Sequence, residues 1–223
     1  MNIFEYAKYK KIFGGSGGDG EGTTADMIAE GGHAVINLPN ATKIKDCAFM
    51  GDDELTSVNA PSATEIGASA FTDCSNLVKI SIPAATDIGS NAFQSCENLQ
   101  VAEFSDDLNC IGDYAFFGCE KLHIQQDFPR ALSFIGDFAF QDCKSLIYLD
   151  FPRNLTEIYD SAFRGCTSLK NITFYGTPEY IDENAFILCP NLENIYVPWA
   201  EGEIAGAPWG ATNATINYNY KGE

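Results

Sequence analysis

One pattern, written seven times, limits what this chain can fold into. Ala-Phe pairs end at Phe49, Phe71, Phe93, Phe116, Phe140, Phe163 and Phe186, with spacings of 22, 22, 23, 24, 23 and 23 residues. Five positions before each Phe stands Ile44, Ile66, Ile88, Ile111, Ile135, Ile158 or Ile181. Six positions after it stands Leu55, Leu77, Leu99, Leu122, Leu146, Leu169 or Leu192. A unit this short cannot bury its own apolar face, so the copies must stack and share one core.

Periodicity within a copy predicts its local structure. In "IGSNAFQSCENL" (88–99), Ala92, Phe93, Cys96 and Leu99 fall at helical spacing, which predicts a short helical turn. "KISIP" (79–83) alternates, with Ile80 and Ile82 to one side and Lys79 and Ser81 to the other, which predicts a short strand closed by Pro83. "VNAP", "LDFP" and "IYVP" repeat the ending, and "INLP" (36–39) supplies a zeroth copy. The expected fold is an α/β repeat: a right-handed leucine-rich-repeat solenoid with one parallel strand ladder and short helical turns. Eight strands at ~4.8 Å would extend that ladder roughly 34 Å. The copy at 123–130, "HIQQDFPR", carries an extra residue, for which a bulge is expected.

The pattern Ile-x-x-x-Ala-Phe-x-x-Cys-x-x-Leu-x-x-Ile-x-Ile-Pro resembles the BspA-like (Treponema pallidum type) leucine-rich repeats over residues 34–198. That resemblance implies a binding scaffold. Members of the family are commonly bacterial or protozoan surface proteins implicated in adhesion to host or matrix proteins, which implies a cell-surface or extracellular location.

The ends depart from the repeat. Residues 14–22, "GGSGGDGEG", read as a flexible linker behind a short amphipathic piece at 2–13. Residues 23–198 form the expected solenoid, with "TADMIAEGGHAV" (24–35) covering its front. Residues 199–223 form the expected C-terminal cap, where Ile216, Tyr218 and Tyr220 alternate as a final strand would. The first residues interleave apolar side chains with Glu5, Lys8, Lys10 and Lys11, unlike the unbroken apolar core of a secretory signal.

Charge narrows the partners. A formal net charge of −18 repels nucleic acid and anionic lipid alike, and no stretch approaches the ~20 apolar residues of a membrane span. The expected partner is a protein or a glycan, with no nucleic acid and no membrane insertion.

Chemical motifs reduce to structural readings. Cys74, Cys96, Cys119, Cys143, Cys166 and Cys189 stand three residues after the repeated Phe, where the first copy has Asp52. They lack zinc spacing and are expected as a column of small buried thiols. Cys47 and Cys110 lie off the column and are the reactive candidates. His33 and His123 are the histidines, and neither has a third group to orient it. The carboxylates at Asp52-Asp53-Glu54 and Asp106-Asp107 read as solvated turn acids. "GGSGGDG" opens like a calcium-binding repeat but occurs once, too few for a roll. Sequons at Asn40, Asn154, Asn171 and Asn213 matter only in a eukaryotic secretory pathway. No catalytic residue, metal site or cofactor is expected.

The candidate binding face is therefore the outward side of the strand ladder. Residues between the inward apolar positions are Asn59, Ser81, Glu103, Asp127, Asp150, Thr173 and Tyr196, and a neighbouring column holds Lys79, Val101, Tyr148, Asn171 and Asn194. Two functions compete: a binding module that uses this face, and a structural component of a larger assembly, such as a phage tail, tethered through residues 1–22.

Overall fold

A computed structural model describes residues 26–30, 33–124 and 128–221. The linker, the amphipathic piece, the calcium-like motif, Asp127 and the centre of the expected bulge lie outside the described residues, as does the side chain of His33.

The chain winds as a parallel-strand solenoid, but each coil contributes to two ladders, not one. The first ladder has two parts. The front part orders β1 (Asp26–Glu30), β2 (His33–Asn37), β4 (Leu55–Asn59), β6 (Lys79–Ser81) and β8 (Val101–Glu103). The rear part orders β11 (Tyr148–Phe151), β13 (Asn171–Phe174), β15 (Asn194–Tyr196) and β16 (Thr215–Asn217). The single eight-strand ladder expected from the repeat is thus divided. After β8 only one bridge, Val101 to His123, continues the front part among the described residues.

The second ladder was not anticipated. It pairs β3 (Lys43–Ile44), β5 (Glu65–Ile66), β7 (Asp87–Ile88), β9 (Cys110–Ile111), β10 (Phe134–Ile135), β12 (Glu157–Ile158) and β14 (Tyr180–Ile181), with the repeated Ile in register throughout. Two residues are too few to show an alternation, so these strands exist only through their neighbours above and below.

The expected helical turns do not form; no helix occurs among the described residues. Left-handed backbone is the reason. The residue two before the Phe has positive φ in six copies, as in Asn91 (60°), Tyr114 (57°) and Phe138 (57°), and the residue two after it does so in Ser95 (58°), Gly118 (71°) and Asp142 (59°). Such interruptions on both sides of the Phe cannot propagate a helix. The amides between them turn along the solenoid axis instead. Phe93 N–H donates to Ala115 O, Phe116 N–H to Ala139 O and Phe140 N–H to Ala162 O, each at 2.7 Å. Within the arc, turn bonds such as Cys143 N–H to Phe140 O (3.2 Å) alternate with these links.

Stacking merges the columns into one core running from Ile36 to Ala211. The repeated Phe rings stack coil upon coil, 5.1 Å between Phe49 and Phe71 and 5.2 Å between Phe140 and Phe163. A second Phe column meets them edge to face: Phe104 on Phe116 (5.7 Å), Phe128 on Phe140 (5.7 Å) and Phe151 on Phe163 (5.5 Å). Burying one such ring contributes about 1.5–3 kcal/mol, and a well-placed ring pair adds ~0.5–1.5 kcal/mol.

Strands outside the seven copies extend the first ladder at both ends. At the front β1 pairs antiparallel with β2, which in turn pairs parallel with β4. At the back the cap repeats the geometry of a coil without its sequence. Phe186 N–H donates to Trp209 O (2.9 Å), where earlier coils present an Ala carbonyl, and Trp209 is fully buried. Its Nε1 donates to Ala205 O (2.8 Å), and its ring meets Trp199 and Phe174. The final strand is shorter than expected. It covers 215–217, Tyr218 packs against the core, and Tyr220 rests on Tyr196 at 4.9 Å.

Candidate functional site

The outward columns of the first ladder align as the repeat predicts. Asn59 pairs in register with Ser81, and Ser81 with Glu103. Across the rear sheet Tyr148, Asn171 and Asn194 form one column, and Asp150, Thr173 and Tyr196 the other. Asp127, the remaining member of the predicted column, lies outside the described residues.

The two halves of this face differ chemically. In front, Lys79 Nζ and Glu103 Oε1 form an ion pair of 2.6 Å across adjacent coils. The lysine, followed by a hydrogen bond from Ser81, holds the Glu103 carboxyl below its ordinary range. Asn59 Nδ2 donates to Asn37 Oδ1 at 3.3 Å. These side chains are engaged with one another along the ladder. At the rear Tyr148 projects with 59% of its surface exposed, beside exposed Ile147. Asn194 Nδ2 donates to Asn171 Oδ1 (3.0 Å) next to it, and Asp150, Thr173 and Tyr196 are half-buried. The rear half thus offers an amphipathic surface on a rigid sheet.

The cysteine column is buried, and its thiols are used. Cys74, Cys96, Cys119, Cys143, Cys166 and Cys189 are free, and each Sγ donates to the Phe carbonyl of the preceding coil at 3.0–3.3 Å. Burial pushes the Cys119 and Cys143 thiols well above their ordinary range, which keeps them protonated and unreactive. Of the two off-column thiols, Cys47 is exposed. Cys110 is half-buried, and burial with the charges of Asp87 and Asp113 raises its pKa, which makes it the slower of the two to react. Within the Asp52-Asp53-Glu54 turn, Asp53 and Glu54 are exposed, but Asp52 is not a solvated acid: it is 4% exposed, and its Oδ1 accepts Glu54 N–H at 3.2 Å.

His123 is exposed, and among the described residues no group of three or more metal-type side chains converges. No helix among them is long and apolar enough to cross a membrane.

Sequence reading passed over the second ladder's outward side. Phe134, Tyr159 and Tyr180 form a tilted row with centroid distances of 5.1 and 5.6 Å. Alongside runs a stack of carboxylates that spans coils: Asp113 Oδ1 accepts Asp137 N–H (2.9 Å), and Asp137 Oδ1 accepts Asp160 N–H (3.0 Å). The signal was present as the recurrent Asp in "IGDY", "IGDF" and "IYDS", but it stood inside a segment assigned to a helical turn. Tyr180 O–H donates to Asp182 Oδ2 at 2.8 Å, and that bond above all pushes its pKa up to about 12.

A family model described as "BspA type Leucine rich repeat region (6 copies)" matches residues 34–126 and 86–205. No curated protein matches the chain significantly. Among solved structures, a leucine-rich repeat protein of Treponema pallidum is 23% identical with a TM-score of 0.48, covering 81% of this chain and 84% of that one. A leucine-rich repeat protein of Bacteroides ovatus is 19% identical with a TM-score of 0.33, covering 88% and 75%. A pneumococcal vaccine antigen is 15% identical with a TM-score of 0.46, covering 83% of this chain and 41% of that one. With its seven-copy pattern, its coil-on-coil register and a family match across most of its length, the chain belongs to the BspA-type leucine-rich repeat family.

Proposed function

We propose that the chain is a non-enzymatic binding module that holds a protein or glycan at a bacterial surface, through the rear half of its first ladder. One observation carries the reading. Tyr148 stands 59% exposed in a column register-locked to Asn171 and Asn194, beside the column of Asp150, Thr173 and Tyr196. Large amphipathic side chains on a rigid sheet lose little conformational entropy on binding, and tyrosine is enriched among interface hot spots. Among the described residues no nucleophile, base and orienting group come together, which favours recognition over catalysis.

The immobilised full chain is tested against a glycan array and a panel of purified host matrix proteins. The variant carrying Tyr148→Ala and Asp150→Ala loses roughly tenfold or more in affinity for whatever the parent holds, with an unchanged melting curve. Association slows as salt rises, because the acidic face steers a basic or polar partner. Equal affinity in the double variant overturns the assignment to this face.

A further inference from the structure

We infer that the outward side of the second ladder is a separate docking surface for an extended, lysine- or arginine-bearing segment of a partner protein. This rests on the reading that the chain is a binding module, and it commits a different face to a different chemistry.

The surface is an unpartnered sheet face with an aromatic row. Phe134 and Tyr159 are half-buried and Tyr180 is 44% exposed, so the row is partly open to solvent, with ring centroids 5.1 and 5.6 Å apart. A guanidinium or ammonium group gains by sitting over such a ring.

Charge makes the match specific. Asp113, Asp137 and Asp160 are linked coil to coil by carboxylate-to-amide bonds of 2.9 and 3.0 Å, and Asp137 lies within reach of the charges of Asp113, Asp160 and Asp182. Between 111–117, 133–140, 156–163 and 179–186, the segments that build this face, there is no Lys or Arg. The three ion pairs among the described residues, Lys43–Glu65, Lys79–Glu103 and Lys144–Glu120, lie elsewhere. The acids beside these rings therefore have no Lys or Arg within their own segments, and a negative local field favours a cation as the occupant. The front of the same ladder is different: there Lys43 neutralises Glu65, and after Asp46 the acid column is interrupted by Ala68 and Ser90, where later coils carry Asp113, Asp137 and Asp160. The surface is confined to the coils from Asp113 onward.

A second property fits a peptide better than a small cation. The acids repeat once per coil, at ~4.8 Å intervals along the axis. A segment laid along the solenoid meets several of them in succession, with the aromatic row beside it.

The probes are a fluorescent ten-residue peptide of alternating Lys/Arg and Gly/Ser, and its counterpart with Glu in place of every cation. Anisotropy is read with the full chain at low and at physiological salt. The parent binds the cationic peptide and not the anionic one. Tyr159→Ala weakens binding about two- to fivefold. The pair Asp137→Asn and Asp160→Asn weakens it roughly fivefold. Asp106→Asn with Asp107→Asn, the same loss of charge in an exposed turn elsewhere, leaves it unchanged, as does Tyr148→Ala with Asp150→Ala. Melting curves confirm that each variant is folded. If the control pair weakens binding as much as the Asp137 and Asp160 pair, the peptide is reading net charge and the inference fails. It fails too if Tyr159→Ala has no effect. Because the Tyr148 and Asp150 variant reports only on the first ladder, loss of either reading is visible without the other.

Discussion

The thiol of Cys143 donates to the carbonyl oxygen of Phe116, one coil earlier, at 3.2 Å. That carbonyl also accepts the amide of Cys119 at 3.1 Å, so the column of cysteines completes the bonding of the Phe carbonyls as the coils stack. Replacement by alanine removes the donor and leaves a small void. Cys143→Ala is expected to lower unfolding free energy by about 1–2 kcal/mol in a urea titration. Thiol labelling of the native chain should modify Cys47 first and Cys110 more slowly, leaving the six column thiols untouched until denaturant is added. Rapid labelling of Cys96 or Cys143 in the native chain contradicts the buried column.

Phe140 has no exposed surface and touches Phe116, Phe128 and Phe163. Its truncation opens a cavity that coils on both sides cannot close, since each is held by its own hydrogen bonds. Phe140→Ala should cost ~3–5 kcal/mol. A cost under about 1 kcal/mol would mean the rings do not carry the core.

Trp209 ends the core, in place of an eighth repeat. With alanine there, the ring contacts to Phe174 and Trp199 and the bond to Ala205 O are lost together. Trp209→Ala is expected to destabilise the chain by roughly 3–5 kcal/mol and to strip aromatic circular dichroism from the cap. Retention of full stability would show that the solenoid needs no cap at this end.

Asp137 links stability to pH with an unusual sign for a carboxyl. Burial, joined by the charges of Asp113, Asp160 and Asp182, outweighs the bond from Asp160 N–H and holds its pKa above the ordinary 3.8. A carboxyl raised by folding favours the fold while protonated. That contribution is complete below the unfolded-state value and lost as pH rises through the folded one. Asn in its place keeps the Oδ1 acceptor for the Asp160 amide and drops the charge. Solvent screens most of this effect, so Asp137→Asn should gain only about 0.2–0.5 kcal/mol at pH 7, with the gain shrinking toward pH 3 in parallel urea titrations. A loss at pH 7 would show that the charge is needed where it stands.

The amino-acid pattern alone determined the columns. In a parallel stack a residue repeated at constant offset becomes its own neighbour, so Ile44 to Ile181, Phe49 to Phe186 and Cys74 to Cys189 could be placed on the core from spacing. The outward sets through Ser81 and Thr173 followed from the same register. The shape of the arc could not be read this way. Ala92, Phe93, Cys96 and Leu99 satisfy helical spacing, yet a chain of turns with left-handed residues such as Asn91 and Ser95 satisfies it as well. The choice belongs to the coil above: Phe93 N–H has a partner in Ala115 O only once that coil is in place, and this bond replaces the helical one. The second ladder has the same origin, because a two-residue strand carries no period of its own. Its acidic and aromatic face follows from that ladder, since Phe134, Tyr159 and Tyr180 lie more than twenty residues apart until stacking brings them ring to ring.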